Sequence, residues 1–144
     1  MKTSKFGIDL IKKYEGFAEQ EYICPAGKIT IGYGHVILPS EHFTKLTKEE
    51  ATELLAKDLV SRENELNKLV KISLLQNQFD ALMSLIYNIG IGNFKTSTLL
   101  KYINSNKLNE VPEQFRKWVY SNKVKLKGLV ERRESEIKMW LGKL

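Results

Sequence analysis

Residues 17–35 read FAEQEYICPAGKITIGYGH, and no other stretch narrows the possible folds of this chain so sharply. Glycine and proline punctuate two short β-prone pieces there, Glu21–Cys24 and Lys28–Tyr33. Pro25-Ala26-Gly27 between them predicts the turn of a small antiparallel hairpin. Before it, Ile8, Leu10, Ile11 and Tyr14 form an apolar stripe at helical spacing, which predicts a helix over 4–15.

After Pro39 the pattern reads as helix to the end. Thr47-Lys48-Glu49-Glu50 has the form of a capping box. Ala51, Leu54, Leu55, Leu59, Leu66 and Leu69 then predict one long helix from 48 to about 70. Ser73-Leu74-Leu75-Gln76 reads as a second box, opening a buried central helix with Phe79, Leu82, Met83, Ile86 and Tyr87. Gly90 and Gly92 are expected to stop it. Shorter helices are expected at 96–104, 109–120 and 128–141. The expected class is α+β, with the β part confined to about twenty residues near the N-terminus. A small β lobe and a larger helical lobe, joined by the long helix, would leave a cleft between them, a common place for a ligand.

The 144 residues fit a single domain, 1–144. One cysteine excludes an internal disulfide and a multi-cysteine zinc site. Apolar runs are only a few residues long, so no membrane-spanning helix is expected. Asp9, Lys12 and Lys13 interrupt the first residues, leaving no signal-peptide core, and folding in a cytoplasm is expected. The net charge of +6 is localised. Residues 116–144 hold nine Lys/Arg against three Asp/Glu, while the rest of the chain balances. Such a patch suits an anionic partner, or simply forms a solvated basic helix. No recognition helix, finger or base-stacking signature accompanies it, so nucleic acid is not the expected partner.

Residues able to carry chemistry concentrate between Glu15 and His35. Glu15 ends the first helix before Gly16. A carboxyl there can face a cleft and act as an acid, or be a plain surface glutamate. Cys24 and Thr30 flank the predicted turn and can approach Glu15 if the hairpin forms. The thiol can serve as nucleophile or base when its thiolate is stabilised, or be a small buried hydrophobe. Thr30 can orient a water or merely favour a strand. Gly32 and Gly34 make no phosphate loop. His35 reads as a structural histidine paired to a carboxylate such as Asp58. Cys24, His35 and His42 match no zinc spacing, so no metal and no cofactor are expected.

The order E-x8-C-x5-T followed by I-G-Y-G-H resembles the active-site region of the phage-type lysozymes, the endolysins of glycoside hydrolase family twenty-four. QFDALMSLIYNIGIGNFKTSTLL at 78–100, KWVY at 117–120 and GLVERRESE at 128–136 resemble the later blocks of that family, in the same order. The likeness covers nearly the whole chain. It implies a lysozyme-like fold and a muramidase cutting the β-1,4 bond between N-acetylmuramic acid and N-acetylglucosamine. It implies Glu15 as general acid, with Cys24 and Thr30 holding or activating the attacking water in an inverting reaction. Most relatives carry a carboxylate where Cys24 stands. The cysteine is then either a thiolate or chiefly a water-placing group.

The same resemblance makes His35 a tie between the β lobe and a helix, and places Val36 at the cleft rim. It makes Tyr87, Asn88, Phe94 and Ser97 substrate contacts, although for Tyr87 and Phe94 core packing is an equal expectation. Arg132 or Arg133 would be the buried arginine beside the acid. The partners it implies are peptidoglycan and, through residues 116–144, the anionic bacterial surface. A monomer is expected. The enzyme would wait in the host cytoplasm, reach the wall through a holin-like pore, and lyse the cell.

Overall fold

The computed structural model describes residues 1–144. Helix α1 (Lys5–Glu15) starts at Ser4, whose side chain accepts from the Gly7 N–H, and ends at Gly16, where φ is +74°. Leu10 and Ile11 of the predicted stripe are buried, and Ile8 and Tyr14 pack partly against the same core.

Three antiparallel strands follow in the order β1 (Ala18–Ile23), β2 (Ile29–Gly32) and β3 (His35–Val36). The expected hairpin is present. Its turn closes through Gly27 N donating to Cys24 O at 2.8 Å and Cys24 N donating to Lys28 O at 2.9 Å. Gly27 takes φ +81°, which explains a glycine there. The third strand was not expected; two residues are too few to show a period. The register aligns Tyr22 with Thr30 and Thr30 with Val36. Because side chains alternate along a strand, these three form one row across one face. Ile31 pairs with His35 on the opposite face, and both are buried.

Helix α2 (Lys48–Leu69) carries the predicted capping box: Glu50 N donates to Thr47 Oγ1 at 3.1 Å, and Thr47 N to Glu50 Oε1 at 2.9 Å. It packs on the sheet at one end and on α3 (Gln76–Ile89) at the other, so it joins the two parts of the molecule. The box expected at Ser73 is not there. The N-cap is Leu75, whose N–H donates to Gln78 Oε1, while Gln76 turns to Asp80 and the Lys2 carbonyl. Gly90 ends α3 with φ +89°, as expected. Gly92 stops nothing; it lies inside a further short helix, α4 (Ile91–Lys95).

Helices α5 (Thr98–Asn104), α6 (Val111–Arg116) and α7 (Lys127–Trp140) complete the helical part, with a single 3-10 turn at Leu108–Glu110. The helix expected over 109–120 stops at Arg116 because the chain turns into a second hairpin. That hairpin pairs β4 (Tyr120–Ser121) with β5 (Val124–Lys125). The β structure is therefore not confined to the N-terminal region. Asn122 and Lys123 form its two-residue turn with φ of +50° and +66°.

Candidate active site

The last residue of α1 sets the site. Glu15 is half-buried, and its Oε2 accepts from Arg132 Nη1 at 2.6 Å. Its Oε1 faces the backbone of Gly34, where a Cβ would stand only 2.9 Å away. Of the two arginines expected near this carboxyl, Arg132 is the one that touches it. Arg132 is itself 4% exposed. Its Nη2 donates to Ser84 O at 3.0 Å, its Nε to Glu136 Oε2 at 3.2 Å, and its guanidinium lies 5.8 Å from the Tyr14 ring centre. Arg133 points elsewhere. It donates to Asn88 Oδ1 at 2.9 Å and Trp118 O at 3.1 Å, and its Nε lies 2.7 Å from Glu136 Oε1. Burial pushes the Glu136 carboxyl up and the Arg133 guanidinium down, and their opposite charges work against both shifts.

Cys24 sits at the head of the first hairpin turn. The backbone N–H of Lys28 lowers its thiol most, against a smaller upward push from burial; the Thr30 hydroxyl and the N–H groups of Ala26 and Cys24 add to the lowering. A lowered thiol is biased toward its thiolate. Thr30 is buried, and its Oγ1 also lies 3.0 Å from Lys28 O, so one hydroxyl proton serves the carbonyl or the sulfur. Tyr22, beside Thr30 in the cross-strand row, ties the two halves together. Burial raises its phenol first, and the charges of both Glu15 and Cys24 raise it further. Glu15 and Cys24 therefore lie within electrostatic reach of one hydroxyl. Val36, at the other end of the row, is 41% exposed at the sheet margin.

The remaining expectations divide. His35 gives Nδ1 to Asp58 at 2.7 Å, as expected, and Nε2 to Glu41 at 2.9 Å, which was not. Tyr87 donates its hydroxyl to Tyr33 O at 2.8 Å and stacks under Arg62, so its polar end is already occupied. Burial, then Glu15 and Asp58, raise that phenol. Asn88 is exposed, with Oδ1 held by Arg133. Phe94 and Ser97 are both buried. Phe94 is wholly buried in the core and has no face to offer a sugar. Ser97 caps α5, accepting from Leu100 N at 3.1 Å and donating to Phe94 O at 2.6 Å. Aromatic and hydroxyl residues after a helix-ending glycine suit a core and a cap as well as a sugar, and here they are core and cap.

Sequence reading missed Glu136, Ser84 and Glu41. Glu136 follows the arginine pair at spacings of three and four, the spacing of side chains that meet on a helix. That signal was legible. Ser84 carries no comparable mark. A concavity of about 580 Å³ is lined by Tyr102 and residues 106–110 and holds none of the predicted site residues. A depression of about 350 Å³ between Asn88, Trp118, Tyr120 and Leu126 adjoins the Arg133 side of the charged cluster. In the basic segment, Arg132 and Arg133 are buried and paired, and Arg116 is held by Glu113 and Glu134. Besides Arg116, which is exposed and paired, Lys117, Lys123, Lys125, Lys127, Lys138 and Lys143 are the cations it exposes.

Comparison with known proteins bears on the family and the fold. The phage lysozyme family model matches residues 12–136. The endolysin of Bacillus phage B103 is 39% identical over 143 residues, which are 98% of this chain; the chain spans about half of that relative, 54% of its length. The endolysin of Acyrthosiphon pisum secondary endosymbiont phage 1 is 39% identical over 144 residues, covering 94% of this chain and 95% of its own. Among solved structures, the muramidase domain of SpmX from Asticaccaulis excentricus superposes with a TM-score of 0.89 at 37% identity, covering 97% of each chain. An endolysin from Escherichia coli O157:H7 phage FAHEc1 gives 0.90 at 33% identity, over 100% of this chain and 96% of that one.

Proposed function

The chain belongs to the phage lysozyme family, and from that premise we propose that it is a peptidoglycan hydrolase, a muramidase whose single domain cuts the β-1,4 bond between N-acetylmuramic acid and N-acetylglucosamine. Glu15 is the general acid. Its Oε2 keeps the Arg132 hydrogen bond, and Oε1 carries the proton to the leaving glycosidic oxygen. As that bond breaks, positive charge grows on the anomeric carbon. A water on the opposite face of the sugar attacks it, held by the Thr30 hydroxyl and giving its proton to the Cys24 thiolate. The product is inverted, and the acid and base must stand roughly 6.5–9.5 Å apart to admit that water. Val36 edges the cleft, and Tyr87 and Asn88 form its helical wall.

The observation that carries this reading is a carboxyl fixed by a buried arginine and a thiol lowered from its ordinary value, both close enough to Tyr22 to raise its phenol. The exposed lysines of 116–144 draw the enzyme to the anionic wall. It acts there after leaving the host cytoplasm through a holin-like pore, and lysis follows.

Reducing-end release from purified peptidoglycan tests the reading, with products examined by mass spectrometry. Glu15→Gln is expected to lower the rate by about 10²–10⁴-fold, the usual worth of a positioned acid. Cys24→Asp should keep activity and Cys24→Ala should lose part of it. Wild-type rates for Glu15→Gln would remove the proposed acid. Equal rates for Cys24→Ala and wild type would remove the thiol from the mechanism. Anhydro-muramic ends would make the reaction a transglycosylation.

A further inference from the structure

One buried acid has no task in that mechanism. Glu136 is wholly buried on α7. Its Oε2 accepts from Ser84 Oγ at 2.6 Å, Arg132 Nε at 3.2 Å and Arg133 Nη2 at 3.3 Å. Its Oε1 faces Arg133 Nε. A buried ion cluster of this kind is a poor source of stability, because an apolar replacement of the same shape is often as stable or more so. What it does supply is geometry. The two arginines leave Glu136 in different directions. Arg132 ends on the Glu15 carboxyl. Arg133 ends on Asn88 Oδ1 and the Trp118 carbonyl, both at the depression beside the site.

We propose that Glu136 is a positioning residue that fixes two arms of the active site at once: the acid Glu15 through Arg132, and the Asn88–Trp118 wall through Arg133. The inference rests on the hydrolase reading above. One carboxylate sharing both guanidiniums locks their relative placement. The proton donor and the wall that receives the glycan then hold one spacing. Ser84, on the central helix α3, anchors the shared carboxylate from across the helix interface.

Steady-state kinetics on soluble, uncross-linked glycan strands test it. Glu136→Gln keeps the shape and removes the charge; kcat is expected to fall on the order of 10²-fold, the usual consequence of misplacing a reacting group by about 1 Å. Arg132→Lys should lower kcat and leave KM within about twofold, whereas Arg133→Lys should raise KM and leave kcat within about twofold. That split would not arise from a merely structural role, which lowers both variants alike. A double variant, Glu136→Gln with Arg133→Met, restores the charge balance of the cluster. If Glu136 only neutralises buried cations, the double variant regains wild-type kcat and the proposal falls. If it positions, kcat stays as low as in Glu136→Gln. Wild-type kcat in Glu136→Gln, or parallel losses in the two arginine variants, would also overturn it. Should Glu136→Gln not fold, as judged by thermal unfolding, the arginine split decides alone. Full activity of Glu15→Gln in the same assay would remove the acid that Glu136 is proposed to position, whereas no cleavage of the strands by the wild type would strike the hydrolase reading instead.

Discussion

A Cβ on Gly34 would stand 2.9 Å from Glu15 Oε1 and 3.3 Å from the Tyr87 hydroxyl, in a backbone with φ +84°. The first contact is with a side-chain end that can swing away, so the fold survives the change. The swing is what the proposed chemistry cannot tolerate. Gly34→Ala is expected to destabilise the protein by about 1–2 kcal/mol, the left-handed backbone penalty. It should also lower the rate of glycan cleavage by about 10²-fold through displacement of the acid. Urea unfolding read beside the cleavage rate checks this; a rate loss no larger than the loss of folded protein would show that Gly34 serves the fold alone. At this scale the resemblance singled out Glu15, Cys24 and Thr30 as candidates among residues with ordinary alternatives, and the expected His35–Asp58 pair is present in the structure. Which arginine meets Glu15 was not readable. Arg132 and Arg133 are neighbours on one helix, separated by about 100° of rotation, and only the packing of α7 on α3 decides which faces α1. Phe94 follows the core-packing alternative that stood beside sugar contact, and Ser97 is occupied as a helix cap.

Elements announced themselves where a cap or a period was strong. The Thr47 box and the stripe behind it defined α2 to within a residue or so of its ends. The β4–β5 hairpin was invisible because its turn is Asn122-Lys123 rather than Asn-Gly. A lysine at φ +66° is uncommon, and it sets a cation at the hairpin tip. Lys125 is on the returning strand, and Lys127 opens α7. Tyr120 and Val124 are 61% and 59% exposed on the same short ribbon. This element, rather than the length of α7, carries much of the exposed charge of the basic segment. Adsorption of the protein to purified sacculi is therefore expected to weaken with salt, since the Debye length shrinks from about 10 Å at 0.1 M to about 3 Å at 1 M. Replacing Lys123, Lys125 and Lys127 by glutamine should weaken it at low salt. Adsorption unchanged by both treatments would leave the ribbon without that role.

The molecule as a whole depends on how the sheet is joined to the long helix, and His35 is the polar part of that joint. Burial lowers its imidazole, but the hydrogen bonds and charges of Asp58 on α2 and of Glu41 more than offset that, so His35 is raised above its ordinary 6.5. Glu41 is lowered from 4.5, first by the Leu38 N–H and then by His35. The signs follow by linkage. A raised histidine contributes stability that is fully present below 6.5 and is lost as pH rises through its folded value. A lowered carboxylate contributes stability that is present above 4.5 and is lost as pH falls through its own. Both contributions are whole only between those two values. His35→Gln keeps a polar side chain and removes the titration. Its loss of stability relative to wild type should be larger at about pH 5.5 than at about pH 9, since the native histidine gives up its proton as pH rises through its folded value. Urea unfolding at the two pH values measures the difference. An equal loss at both would mean that His35 holds the sheet by packing against Phe43, 5.7 Å away edge to face, and not by charge.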